Sequence, residues 1–417
     1  MQPVPAAQDH IHLSVVATSR NDNHGGFLTQ RMQHFTDGLI AQCKRHALRA
    51  ELILVEWNPP AERRALAEEL AWPQDCGPCD IRIVTVPREL HARLPHGDKL
   101  PLFQMIAKNV GIRRARGRFV LATNIDILFS DEAMRFMRER LREGCLYRTD
   151  RLDVPTEVPR AQDFSDVLAF CRREAFRVHA TGYTLVRRGE RWDPSSPLAG
   201  LLGSVWKSVR RVLAAVRAKS AEHGATAAAA VVGSGTLRER RERLSDAVLR
   251  SFRGSWHVGC GLARTVWRVL KWIWQALILR QLFTNACGDF TLLSRADWFA
   301  LRGYPEWPLY SWHLDSILLY QSHHSGLREV YMGAAARIYH IEHSPGSGFT
   351  PESSDKLFER LKAMGIPYLD WEKDAEPMIA KMPGQHRREG AIHYNDADWG
   401  YAAASLADVM VRAQRHA

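Results

Sequence analysis

No run of about 18 uncharged apolar residues occurs in the 417-residue chain, so no stretch reads as a membrane span. Met1 to His10 is polar and lacks the charged-then-apolar pattern of a secretory signal, and a cytoplasmic protein is expected. No internal repeat is visible. Cysteine is sparse: seven residues, an odd number, argue against a fully paired disulfide framework. Cys76-Gly-Pro-Cys79 has redox-dithiol spacing, but it stands in a Pro/Gly-rich loop ahead of a strand and no second pair completes a zinc site.

What the chain has is length and localised charge. Its size suits two lobes or one enlarged α/β domain. The formal net charge is +11, and residues 191–284 hold 16 Lys and Arg against 5 Asp and Glu, so the rest of the chain is formally neutral. Within this segment Leu201, Val205, Val209, Val212 and Val216 form a helical apolar stripe opposite Lys207, Arg210, Arg211 and Arg217. In 263–283, Arg264, Arg268, Lys271 and Gln275 share one face, with Trp267, Trp272 and Trp274 crowding the rest. Such helices suit an in-plane element on an anionic membrane surface, placed at 201–283; the competing reading is a packed helical lid with solvated cations. The aromatics cluster with aliphatics and do not alternate with cations, so nucleic acid is not an expected partner.

Outside this segment strands and helices alternate. Ile11 to Ala17 reads as a strand running into a polar loop with Asp22 and Gly25-Gly26, followed by a helix burying Leu28, Met32, Phe35, Leu39 and Cys43. Glu51 to Glu56 and Ile81 to Val86 are further strands, with a helix expected over Ala61 to Ala71. The helix around Ala107 to Arg116 is expected to close on a left-handed Gly117, and the strand Arg118 to Thr123 delivers Asp126. This order predicts a mostly parallel sheet with helices on both faces. Asp22, Glu56 and Asp126 then share the carboxyl edge, where Asp126 suits a cation or a ribose; the alternative is a cap on the next helix, a task Ser130 or Asp131 also fits. Leu146 to Val154 and Val178 to Arg187 are expected as far-side strands, and Ala402 to Arg412 as a terminal helix.

The ordered set resembles family 2 glycosyltransferases of the GT-A fold. It comprises the strand-loop Val16 to Asp22, the acid after the second strand, Lys108-Asn109-Val-Gly, the Asp-x-Asp-like Asn124-Ile-Asp126, Gly288-Asp289-Phe290, Gly303-Tyr-Pro-Glu306, the Asp315-opened helix and His340-x-x-His343. The resemblance covers most of Ile11 to Glu190 and Asn285 to Gly348. It implies a Rossmann-like GT-A domain whose nucleotide-sugar half is 1–190 and whose acceptor half and tail are 285–417, with 191–284 as a helical insert.

It further implies sugar transfer, inverting, from a nucleotide-sugar donor to a glycan or lipid-linked acceptor, with a divalent cation, Mn2+ or Mg2+. Thr18, Asp22, Glu56, Lys108, Asn109, Asn124 and Asp126 would bind the donor, and Asp126, His340 and His343 the metal, against a satisfied structural pair as the competing reading of the two histidines. Asn124 replaces the first Asp of the motif and brings no charge, so the cation is expected to lean on a histidine. Asp315 would be the base, although Leu314 stands where an acid usually precedes it, and a plain helix N-terminal charge is the competing reading. Asp289, Trp307 and Trp312 would meet the acceptor, against a turn residue and core packing respectively. A catalytically inactive sugar-nucleotide-binding scaffold and a nucleic-acid binder acting through the insert are the alternatives.

Overall fold

The computed structural model describes residues 10–161, 163–194, 282–343 and 354–411. The stretches expected as surface helices within 201–283 lie, up to residue 281, outside them. In chain order the first elements are β1 (Leu13–Ser19), α1 (Leu28–Arg45), β2 (Ala50–Trp57), α2 (Leu66–Glu69), β3 (Cys79–Val86), α3 (Arg88–His91), α4 (Gln104–Arg113) and β4 (Phe119–Thr123). Next come β5 (Ile127–Phe129), α5 (Asp131–Glu139), β6 (Cys145–Arg148), β7 (Asp150–Val154), α6 (Phe164–Glu174), β8 (Arg177–Ala180), β9 (Tyr183–Arg188) and β10 (Arg191–Pro194). The remainder is β11 (Phe290–Ser294), α7 (Arg295–Leu301), α8 (Leu314–His324), β12 (Arg328–Tyr331), β13 (Arg337–Ile341), α9 (Ser354–Ala363), α10 (Glu376–Glu389) and β14 (Ala407–Met410).

Eight strands form the main sheet in the order β12-β6-β11-β4-β1-β2-β3-β14. Strands β1 to β4 are mutually parallel, as the alternating sequence predicts. Their apolar runs are continuous because both faces are covered. Val15, Leu52 and Leu121 belong to the core that holds Met32, Phe35 and Leu39 of α1, whereas Val16, Ile53 and Ala122 belong to the core that holds Ile106 and Val110 of α4. The α/β fold expected from the sequence is the one present.

Several expectations need correction. Only Leu66–Glu69 of the helix expected at 61–71 is helical, because Asn21 Nδ2 donates to the Arg64 carbonyl and holds the preceding residues as a turn. Gly117 is not left-handed; helix α4 ends earlier, and a Cβ on Gly117 would lie 2.6 Å from the Ser14 nitrogen, so the glycine serves close passage beside β1. The terminal stretch expected as a helix carries β14, which pairs antiparallel with β3. Helix α10 was not expected.

The stretch 146–154 also divides. β6 stays in the main sheet, while β7 enters a second sheet of order β10-β9-β8-β7-β13-β5. Leu152, Val154, Tyr339 and Ile341 of that sheet pack on Val167 and Leu168 of α6. Alternate positions, Arg151, Asp153, His179 and His340, form its other, charged face.

Candidate active site

The chain leaves β4 of the main sheet and enters β5 of the second through Asn124, Ile125 and Asp126. Ser130, not Asp126, caps the following helix, its hydroxyl accepting from the Ala133 N–H. The Ile341 N–H donates to the Asp126 carbonyl at 2.9 Å, which ties the end of β13 to this corner. Consequently Asp126, His340 and His343 are brought together, each buried, with one ligand atom apiece lying mutually within 4.8 Å. Asp126 Oδ2 is 3.4 Å from His343 Nε2 and 3.8 Å from His340 Nε2.

Asp126 Oδ1 is buried and has no hydrogen-bond partner among the described residues. An orphaned carboxylate oxygen beside two imidazoles fits a divalent cation, and the mixed nitrogen and oxygen set suits Mn2+ at least as well as Mg2+. Burial pushes the Asp126 carboxyl up, but His340, His343 and Arg31 outweigh it and hold it well below the usual range. The loop after β1 closes over the cluster. A Cβ on Gly25 would collide with the His343 ring, and Gly25 has φ +71°, so glycine meets both demands there.

A second group, Asp153, His340 and Glu342, also has ligand spacing. Here guanidinium groups already supply the positive charge: Arg151 Nε lies 2.9 Å from Asp153, and Arg177 Nη1 donates to Asp153 at 2.9 Å and to Glu342 at 3.3 Å. Two guanidinium groups there, against the single Arg31 on Asp126 Oδ2, disfavour a dication more strongly than at the first cluster.

The Asn124 amide is what its position requires. Strand β11 runs antiparallel to β4, pairing Phe290 with Thr123 and setting Asp289 beside Asn124. Asn124 Nδ2 donates to Asp289 Oδ1 at 2.5 Å, while its Oδ1 accepts from Gln104 Nε2 at 2.9 Å. A carboxylate at 124 would face a carboxylate, so the charge missing from position 124 is carried by Asp289. Asp289 also pairs with Arg151. Burial raises its pKa, but Arg151 and His340 reverse this and leave it lowered.

Asp315 begins the second turn of contacts. A Cβ on Gly288 would come within 3.0 Å of Asp315 Oδ2, so the carboxylate lies over the 287–289 turn that carries Asp289. Lys108 Nζ donates to the Gly288 carbonyl at 2.6 Å, beneath the same turn. Burial pushes the Lys108 amine down to about 8, against the pull of Asp289 and Asp315.

The other expected residues stand apart. Asn109 is buried and structural in its bonding: it donates to the Tyr304 carbonyl and to Glu306, and accepts from the Tyr304 N–H. Glu56, at the end of β2, accepts from the Leu66 N–H and Thr85. Asp22 pairs with Arg20 at 3.0 Å. Thr18 is buried near the end of β1. Trp307 packs edge-on against Tyr394, and Trp312 against His313 and Phe358. Arg31, Arg151 and Asp153 were missed. Charge at every second residue in 151/153, 177/179 and 340/342 was the signal for a polar sheet face.

No family model and no curated protein sequence matches the chain. A solved structure described as GalNAc-T7 with UDP, GalNAc and Mn2+ is similar at 12% identity and a TM-score of 0.38, over 92% of this chain and 56% of that one. The chain thus spans little more than half of that structure's length, and a likeness at this level says nothing of activity. Among the described residues no helix is long and apolar enough to cross a membrane.

Proposed function

We propose that the chain is a divalent-cation-dependent glycosyltransferase of GT-A type, resembling family 2, that uses a nucleotide-sugar donor and inverts the anomeric centre. The observation that carries this reading is the buried Asp126, His340 and His343 cluster with its orphaned Oδ1, next to Asp289 at the carboxyl edge of parallel strands. A cation bound there supplies charge neutralisation for a departing diphosphate.

The chain's own residues do the rest. Asp315 takes the proton of the acceptor hydroxyl as that oxygen bonds to the anomeric carbon and the bond to the diphosphate oxygen breaks. Asp289 and Asn124 offer polar contacts to donor or acceptor hydroxyls. Thr18, Asp22 and Glu56, at the ends of β1 and β2, line the side on which base and ribose belong. Lys108 supports the turn beneath Asp315, and Trp307 and Trp312 would meet the acceptor. Residues 191–284 are proposed as an insert between halves 1–190 and 285–417, although Arg191–Pro194 joins the second sheet as β10; its basic stretches within 201–283 would hold the protein at the cytoplasmic face of an anionic membrane, near a lipid-linked or glycan acceptor.

Isothermal titration of the full chain with UDP and with GDP, each with and without Mn2+, tests this reading, with Asp126→Ala as the control. Mn2+-dependent binding that the variant loses supports it and identifies the base. Absence of binding under every condition overturns it. Binding of a nucleotide sugar with no turnover would instead favour the inactive scaffold.

A further inference from the structure

Asp153 is fully buried, and neither donor, acceptor nor cation reaches it in the reading above. Its position follows from strand register. β7 and β13 are parallel, and His340 is paired with Asp153, so the two side chains rise from the same face of the second sheet. His340 Nδ1 lies 3.3 Å from Asp153 Oδ1, while Nε2, on the opposite side of the ring, points to Asp126 at 3.8 Å. The imidazole is thus strung between two carboxylates. A metal-bound histidine is oriented and made more basic when its other nitrogen faces a carboxylate.

Resting on the cation site proposed above, we infer that Asp153 is the positioning residue of that site: it fixes His340 with Nε2 towards Asp126 and makes the ring a better electron donor through that nitrogen. Arg151 and Arg177 hold Asp153 from the flanks, Arg151 at 2.9 Å from Oδ1 and Arg177 at 2.9 Å from Oδ2. They prevent the carboxylate from turning away from His340. Arg151 also grips Asp289, so one guanidinium sets the spacing between the two buried acids on either side of the cluster.

Mn2+ alone is titrated calorimetrically into the full chain, into Asp153→Asn and into His179→Gln, with thermal melts of all three. His179 contacts Asp153 Oδ2 at 3.1 Å and Arg151 Nη2 at 3.0 Å from the neighbouring strand β8, so its loss disturbs the same buried network while leaving the Asp153 carboxylate beside His340 in place. Asp153→Asn is expected to bind Mn2+ about 10–100-fold more weakly. His179→Gln is expected to melt earlier yet bind Mn2+ close to wild type. Wild-type affinity in Asp153→Asn, or equal weakening in both variants, overturns the inference while leaving the cation site standing. Failure of the wild-type chain to bind Mn2+ overturns both. Should Asp153→Asn not fold, nitrogen-15 spectra of the wild-type chain loaded with Zn2+ decide: Nε2 ligation with a proton retained on His340 Nδ1 is expected, and ligation through Nδ1 overturns the inference.

Discussion

The Arg31 guanidinium donates from Nη1 to Asp126 Oδ2 at 2.8 Å, and both side chains are buried. Its remaining donors reach the carbonyls of His24 and Gly26, so one residue at the start of α1 joins the loop after β1 to the central carboxylate. Arg31 is therefore a resident cation at the point where a divalent ion is proposed to bind. Arg31→Met should cost about 3–5 kcal/mol, because it leaves a buried charge without its partner. Mn2+ should then raise the melting temperature of the variant more than that of the wild type, since the dication no longer meets a guanidinium. Equal Mn2+ shifts in the two proteins would place the ion away from Asp126.

Asp315→Asn separates chemistry from binding. With a glycosyl donor and a productive acceptor, kcat should fall by about 10^2–10^4, the usual worth of a positioned base. UDP affinity in Mn2+ should hold. If UDP affinity falls with kcat, Asp315 belongs to the donor site or merely charges the start of α8.

Glu306 provides a pH test away from the cluster. Burial pushes its carboxyl up to about 7, although Asn109 and the Gly400 N–H pull the other way. Its folded pKa lies above the unfolded value near 4.3, so the protonated form stabilises the fold. That contribution is present at low pH and is lost as pH rises towards 7. Glu306→Gln keeps an acceptor for both donors. The variant should match wild type in thermal melts at pH 5 and exceed it at pH 8 by on the order of 1–3 kcal/mol. A gain that is the same at both pH values would refute the titration.

Asn109→Ala distinguishes a strut from a ligand contact. Removing the side chain strips the Tyr304 N–H of its acceptor and should destabilise the fold by about 1–3 kcal/mol. UDP affinity in Mn2+ should not change. A lost affinity at unchanged stability would return Asn109 to the donor site.

Period and turn chemistry made the parallel core legible, because strands buried on both faces must be continuously apolar and α1 must repeat its apolar residues every three or four positions. Asp126 and the two histidines were readable as a candidate ligand set, since a carboxylate and two imidazoles in that order carry suitable donor atoms. Their meeting was not: it depends on β13 crossing to a second sheet that the apolar pattern of 146–154 does not announce. Asp153 was hidden for a related reason. A buried acid in a strand is unremarkable until register sets it against His340. Asn124 looked like a lost ligand, and only the antiparallel approach of β11 explains why an amide belongs there. Asn109 was read from its motif as a donor contact, and nothing in that motif announced its bonds to Tyr304 and Glu306.

β14 gives β3 its outer neighbour, and Arg82 on β3 is clasped by Asp408, 326 positions further along the chain. During synthesis, then, the parallel core can assemble long before this last strand emerges, and the free N–H and C=O groups along β3 spend that interval exposed. The growing polypeptide carries its greatest risk of strand-to-strand clumping at that stage, so helper proteins that shield nascent chains should matter more to its yield than to its final stability.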